Sequence, residues 1–188
     1  MKKFLVVVLI LIMALCLVAC GGSDDATSDT SDAALTSSGD NSDTAVDSDD
    51  GISLGKKEMS ITPAAGWERM EAAVVPQYEN VDGRAPGGMV ILTVDPQMDD
   101  DHVAYAQDLL KNTFPSATFS DTANTTVDGM DALQYTMTYD VSGLVLMQKY
   151  TYIIQDSYVY SIACSALEKD FGAVSDDFDT MINSLVLK

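Results

Sequence analysis

Residues 133–166 read LQYTMTYDVSGLVLMQKYTYIIQDSYVYSIACSA, and this stretch decides the fold. Leu133, Tyr135, Met137 and Tyr139 alternate with Gln134, Thr136 and Thr138, the period-two pattern of a strand with one buried face. Val141-Ser142-Gly143 then turns the chain into a second strand, Leu144 to Ile154. Gln155-Asp156-Ser157 turns it again into a third, Tyr158 to Ala166. A parallel crossover needs about a dozen residues or more, so strands joined this closely are antiparallel neighbours. The stretch predicts a three-stranded meander.

Working outward, the sequence on both sides supplies what such a sheet needs to be covered. Upstream, Gly88 to Val94 is almost continuously apolar, as expected of a central strand buried on both faces. After Pro96, the run Asp99-Asp100-Asp101-His102 leads into Val103, Ala106, Leu109, Leu110 and Phe114 at spacings of three and four, which predicts a helix from about 101 to 113. Glu58 to Thr62 reads as a first strand ending at Pro63, and Gly66 to Met70 as a second opening after a turn. Downstream, Phe171, Val174, Phe178, Met181, Ile182 and Leu185 form an apolar stripe at helical period that can lie across the sheet. The expected class is α+β.

This order of elements resembles the PsbP-like family. The points of likeness are a short N-terminal strand, the turn Pro63-Ala64-Ala65-Gly66-Trp67, a buried strand, a helix, the meander and a C-terminal helix ending in Ile182-Asn183-Ser184-Leu185. The family includes the DcrB-like bacterial lipoproteins, the PsbP subunit of the photosynthetic oxygen-evolving complex and a yeast nuclear-import factor that binds the GTPase Ran. The resemblance implies an α/β/α sandwich, an antiparallel sheet with its C-terminal meander covered by two main helices, used as a non-catalytic binding or assembly module. It transfers no partner-binding or metal-binding residue to this sequence.

The N-terminus gives the expected address. Lys2 and Lys3 precede sixteen apolar residues, Phe4 to Ala19, fewer than the roughly 20 that cross a bilayer comfortably. Residues 1–19 read as a signal peptide, and Leu17-Val18-Ala19-Cys20 resembles the lipobox of bacterial lipoproteins. The thiol of Cys20 is the nucleophile that accepts a diacylglyceryl group, and the small residues before it admit the peptidase. Cleavage before Cys16 would leave four apolar residues on the mature end, so Cys20 is the expected lipidation site. Each buried methylene contributes about 0.8 kcal/mol, so two chains or more anchor a protein stably. The expected location is the extracytoplasmic face of the cell membrane.

From Gly21 to Asp50 the chain is Ser, Thr, Asp, Gly, Asn and Ala apart from Leu35 and Val46, with nine aspartates and no basic or aromatic residue. Too little apolar surface is present to offset the entropy of ordering, so residues 20–50 are expected to form a disordered acidic tether carrying the lipidated cysteine. Its reach is roughly 30 Å as a flexible coil. Residues 51–188 are then one globular domain. The chain has 29 acidic and 10 basic residues; nine aspartates lie in the tether and two lysines in the signal, leaving twenty acidic against eight basic. A net charge near −12 on the domain excludes nucleic acid and anionic headgroups as partners. The partners expected are the membrane, through the lipid on Cys20, and a protein.

Candidate chemistry is sparse. Asp99, Asp100, Asp101 and His102 are the one cluster of metal-ligand side chains, but aspartates before a helix cap its free N–H groups, and consecutive residues point apart. Caps are therefore expected there, and no metal. His102 is the only histidine, and no Gly-x-Ser-x-Gly elbow, Gly-rich phosphate loop, CxxC pair or HExxH occurs. No cofactor or catalytic residue is assigned, and the protein is not expected to be an enzyme. With Cys16 in the signal and Cys20 acylated, Cys164 has no disulfide partner and is expected to be buried and inert. Trp67 is expected to plug the core rather than stack on a ligand. Tyr135, Tyr139, Tyr150, Tyr152, Tyr158 and Tyr160 crowd the meander, and part of that set can face a groove. Two functions follow: a membrane-anchored, non-catalytic module for a protein partner, or a substrate-capturing lipoprotein or small hydrolase with an aromatic cleft. A pocket with convergent polar groups favours the second, and a flat tyrosine-rich face the first.

Overall fold

A computed structural model describes residues 56–188 of the chain. The signal segment 1–19, Cys20 and the tether 20–50 lie outside the described residues, as do residues 51–55. The elements in chain order are β1 (Met59–Ser60), β2 (Trp67–Arg69), β3 (Gln77–Asn80), β4 (Met89–Pro96), α1 (His102–Thr113), β5 (Thr118–Phe119), β6 (Ala123–Val127), β7 (Met130–Val141), β8 (Leu144–Gln155), β9 (Tyr158–Leu167), α2 (Glu168–Phe171), α3 (Ser175–Asn183) and β10 (Val186–Leu187).

The meander forms as its turns require. Two-residue links join β7 to β8 and β8 to β9, and both residues of each link have positive φ: 56° and 83° at Ser142-Gly143, 56° and 63° at Asp156-Ser157. This backbone matches the right-handed twist of the flanking strands and sets antiparallel register. Tyr150 pairs with Tyr135 on one side and with Ala163 on the other. A third link of the same kind, Asp128-Gly129, joins β6 to β7. β9 also pairs antiparallel with β4 along its length, from Met89↔Ser165 to Pro96↔Tyr158. The main sheet has the order β2-β3-β4-β9-β8-β7-β5, with β6 also against β7.

Alternation sends successive side chains to opposite faces, and each face carries its own core. On one face Val103, Ala106, Leu110 and Phe114 of α1 and its C-cap pack over Ile91, Tyr135, Met137, Tyr139, Tyr150 and Tyr152. On the other, Phe171, Phe178, Met181, Ile182 and Leu185 pack over Val90, Leu92, Tyr160, Ile162 and Cys164. The layered α+β arrangement expected from the resemblance is the one observed: helix, antiparallel sheet, helices.

The structure corrects three details. The apolar stripe 171–185 is not one helix: α2 ends at Phe171, Gly172 to Val174 form a turn, and α3 resumes at Ser175. Phe171 and Val174 still reach the core because the turn carries a backbone bond from Val174 N to Phe171 O. The first strand does not join the main sheet; β1 pairs with β10 in a separate two-stranded ribbon. The hairpin β6–β7 and the short strand β3 were not read from the sequence at all, although Asp128-Gly129 is a strong hairpin signal.

The turn before Trp67 has a steric reason. Gly66 sits at φ +82°, and a Cβ there would lie 2.1 Å from Asp82 Oδ2, so only glycine fits. The turn delivers Trp67 into the core, where it is 4% exposed, 5.3 Å from the ring of Phe178. Its Nε1 donates to Asp177 Oδ2 at 2.9 Å, and Arg84 bonds the same carboxylate at 2.7 Å.

Candidate functional site

A cavity of about 370 Å³ lies between α1 and the sheet. Its floor follows from strand register. Alternation puts Gln148, Tyr150 and Tyr152 of β8 on the α1 face. Tyr150 lies opposite Ala163, which lies opposite Ile91; Tyr152 lies opposite Ser161, which lies opposite Thr93. Where α1 crosses β9 and β4 the sheet thus presents small side chains, Ala163, Ser161 and Thr93, and Ala106 is the matching small residue on the helix. Interiors normally close-pack, and here the helix and sheet stay apart because no long side chain spans the gap. Leu109, Leu110, Phe114 and Tyr105 form the roof and far wall.

The lining is mainly apolar and aromatic, with a few placed polar groups. Deep in the cavity the fully buried Gln148 accepts a hydrogen bond at its Oε1 from Tyr150 Oη, 2.9 Å away. The hydroxyls of Tyr135 and Tyr152 are 3.1 Å apart and share one hydrogen bond. Toward the β8–β9 turn, His102 meets Tyr152 edge-on at 5.0 Å, and its buried Nδ1 has no partner among the described residues. Met98, 65% exposed, and Leu109, 37% exposed, are the solvent-exposed large apolar residues of the lining. Ligand pockets characteristically combine such walls with a small number of oriented polar atoms.

Burial favours the neutral form of the imidazole and phenols that line the cavity. Burial pushes the His102 imidazole below its usual range, against the opposing pull of Asp95 and Asp99. Burial pushes Tyr150 and Tyr152 well above the ordinary phenol range. Burial likewise raises Tyr135 to about 12, in spite of its hydrogen bond from Tyr152. None of these phenols is a base near neutral pH. Stability should respond in the alkaline range: Tyr135 ionises at 10.0 in the unfolded chain and at about 12 in the fold. The stabilisation is therefore complete below pH 10 and is lost as pH climbs toward 12. Two pH units correspond to roughly 2–3 kcal/mol. Urea midpoints at pH 9 and 11.5 should differ by at least that amount, and Tyr135→Phe should lessen the dependence without removing it, since Tyr139, Tyr150 and Tyr152 are raised too, even though it lowers stability at pH 9.

The sequence candidates are separated by the structure. Asp101 is the N-cap of α1, accepting from Ala104 N at 3.1 Å, and Asp99 Oδ1 accepts from Asp101 N at 2.8 Å. Among the described residues no three His, Cys, Asp or Glu side chains group as a metal site. His102 opens α1 and joins the cavity rather than the carboxylates. Of the tyrosines, Tyr150 and Tyr152 line the cavity and Tyr135 and Tyr139 stand beside it, while Tyr158 and Tyr160 belong to the opposite face. Tyr160 accepts there from Lys57 N at 3.0 Å. Cys164 is fully buried on that same face, and burial drives its thiol far above the range in which a thiolate forms. Trp67 is a core residue away from the cavity. Asp95, Tyr105, Gln148, Ser161 and Ala163 were not singled out from the sequence. Alternation along β8 groups Gln148 with Tyr150 and Tyr152, but only the register with β9 and β4 shows what faces them.

No model of a known protein family matches the chain, and no curated protein matches it. Several solved structures share its fold. LpqN, a protein involved in cell envelope biogenesis of Mycobacterium tuberculosis, is 13% identical, with 71% of this chain and 85% of that one covered at a TM-score of 0.50. A cyanobacterial PsbP from Synechocystis is 12% identical over 74% of this chain and 98% of that one, TM-score 0.49. A Pseudomonas aeruginosa protein of unknown function is 12% identical over 73% and 88%, TM-score 0.45. The likeness to LpqN extends to the fold and no further.

Proposed function

We propose that the chain is a membrane-tethered, non-catalytic binding module that holds a small apolar or amphiphilic molecule in the cavity beneath α1. The observation that carries this reading is the cavity itself: about 370 Å³ lined mostly by apolar and aromatic side chains, with the exposed Met98 and Leu109 in its lining. A hydrolase would need a nucleophile and a base within reach of each other. Among the described residues the cavity shows no such pair: Thr93 and Ser161 line it but neither is hydrogen-bonded to His102, its phenols stay protonated, and Cys164 lies on the other face. Of the two functions expected from the sequence, this geometry favours ligand capture over a purely protein-binding face. The lipidation of Cys20 and the extracytoplasmic location complete the proposal. The envelope setting of LpqN agrees with that location, and among the described residues no helix is long and apolar enough to cross a membrane.

Both packed faces lie within residues 56–188, so the 51–188 fragment keeps the whole core. The test uses N-phenyl-1-naphthylamine, a neutral dye that fluoresces in apolar pockets. The fragment should bind it saturably. Ala163→Phe, which projects a ring from the floor into the empty space, should abolish the signal while leaving the unfolding temperature within a few degrees. Dye binding unchanged in Ala163→Phe would show that the cavity is not the site.

A further inference from the structure

The mouth of the cavity has a chemistry that its interior lacks. Asp95 at the end of β4 is the one carboxylate among the lining residues, and no Lys or Arg lines the cavity. Three aromatic rings line the same cavity: the half-buried His102 lies 5.0 Å from the buried Tyr152 and 6.3 Å from the half-buried Tyr105. Asp99, Asp100 and Asp101 follow immediately on the strand side of α1, outweighing the partial positive charge of the helix N-terminus. His102 stays neutral at pH 7 and does not cancel Asp95. An anion brought to this opening meets several carboxylates and no counter-charge. A cation meets a carboxylate beside aromatic rings whose faces attract positive charge, the combination that recognises ammonium groups elsewhere.

Resting on the cavity reading above, we propose that Asp95, His102 and Tyr105, backed by the buried Tyr152, bind the ammonium head of a cationic amphiphile whose chain fills the cavity. The apolar interior measures the chain, and the mouth selects the head. Alkyl sulfates, sulfonates and fatty carboxylates are rejected on charge, and a neutral alkyl alcohol binds through its chain alone, more weakly.

The full chain is reconstituted in digalactosyldiacylglycerol vesicles, which carry no headgroup charge. It is photolabelled with three probes sharing one diazirine-bearing dodecyl chain and differing only in the head: trimethylammonium, hydroxyl or sulfonate. Labelling is mapped by peptide mass spectrometry and normalised to vesicle partition. The expected result is that the trimethylammonium probe labels the α1 and β8 peptides roughly tenfold more than the hydroxyl probe, with the sulfonate lowest. Asp95→Asn should bring the first two within about threefold, and Ala163→Phe should remove the labelling by both. Equal labelling by the ammonium and sulfonate probes, or ammonium labelling indifferent to Asp95→Asn, overturns the head-group assignment while the hydroxyl probe's dependence on Ala163 still supports the cavity. Loss of dependence on Ala163 for the hydroxyl probe overturns the cavity reading and this inference with it.

Discussion

Phe178→Ala lowers the stability of the 51–188 fragment by about 3–5 kcal/mol, the range for deleting a fully buried aromatic ring. Phe178 is fully buried in α3, 5.3 Å from Trp67 and 5.2 Å from Phe171. It joins the N-terminal turn, the broken C-terminal helix and the sheet. Its loss opens a void that neighbours tied to the backbone cannot fill. Trp67 is held by its hydrogen bond to Asp177, and Phe171 by the turn at Gly172 to Val174. Against a typical domain stability of about 5–15 kcal/mol the change is large. The urea midpoint should fall steeply with little change in slope. Asn183→Ala, on the exposed side of the same helix, should shift stability by no more than about 0.5 kcal/mol. A loss below about 1.5 kcal/mol for Phe178→Ala would mean that α3 is not firmly docked on the sheet.

Cys20→Ser should convert the protein from membrane-bound to an unprocessed precursor that incorporates no fatty-acid analogue, whereas Cys16→Ser should be labelled and processed normally. The effect is all-or-none because serine oxygen does not replace the thiol as acceptor of the diacylglyceryl group, and peptide-bond cleavage follows lipidation. Two acyl chains of about 15 methylenes each, at about 0.8 kcal/mol per methylene, far exceed what a single marginal chain provides. Metabolic labelling followed by carbonate extraction of membranes reads both steps. Labelling that survives in Cys20→Ser would remove the lipid anchor from the proposed function.

The difference between these experiments mirrors how much of the protein its sequence discloses. Alternation in Leu133 to Tyr139 and the links Ser142-Gly143 and Asp156-Ser157 are local properties, written in side-chain period and backbone dihedral preference, so the meander and its antiparallel pairing were legible. The helix over His102–Thr113 and its aspartate cap were legible for the same reason. The C-terminal stripe was legible as a buried face but not as two helices. The spacing from Phe171 to Leu185 is compatible with unbroken helical period, and the break at Gly172 depends on how the segment meets the sheet edge. β1 shows the same limit: a short run of strand-forming residues does not say that its partner is β10, more than a hundred residues away.

The residues of the candidate site divide along that line. His102 drew notice by type for metal binding or catalysis, and the tyrosines of β8 for sheet propensity or for facing a groove. Asp95, Ser161 and Ala163 carry no local signal, being an acid near a strand end and small residues in a strand, and Ala106 shows only as part of the helix's apolar stripe. Composition, periodicity and short motifs, which act within a few residues of themselves, were enough for the class, the acidic charge and the expected anchor, while the layers were implied by the resemblance. Tertiary structure alone decided that Tyr152 faces Ser161 and Thr93 beneath α1, and that a space remains there. A cavity is what side chains from separate strands and a helix fail to fill together, and that volume is a property of their register and docking distance, which no single stretch of the chain encodes.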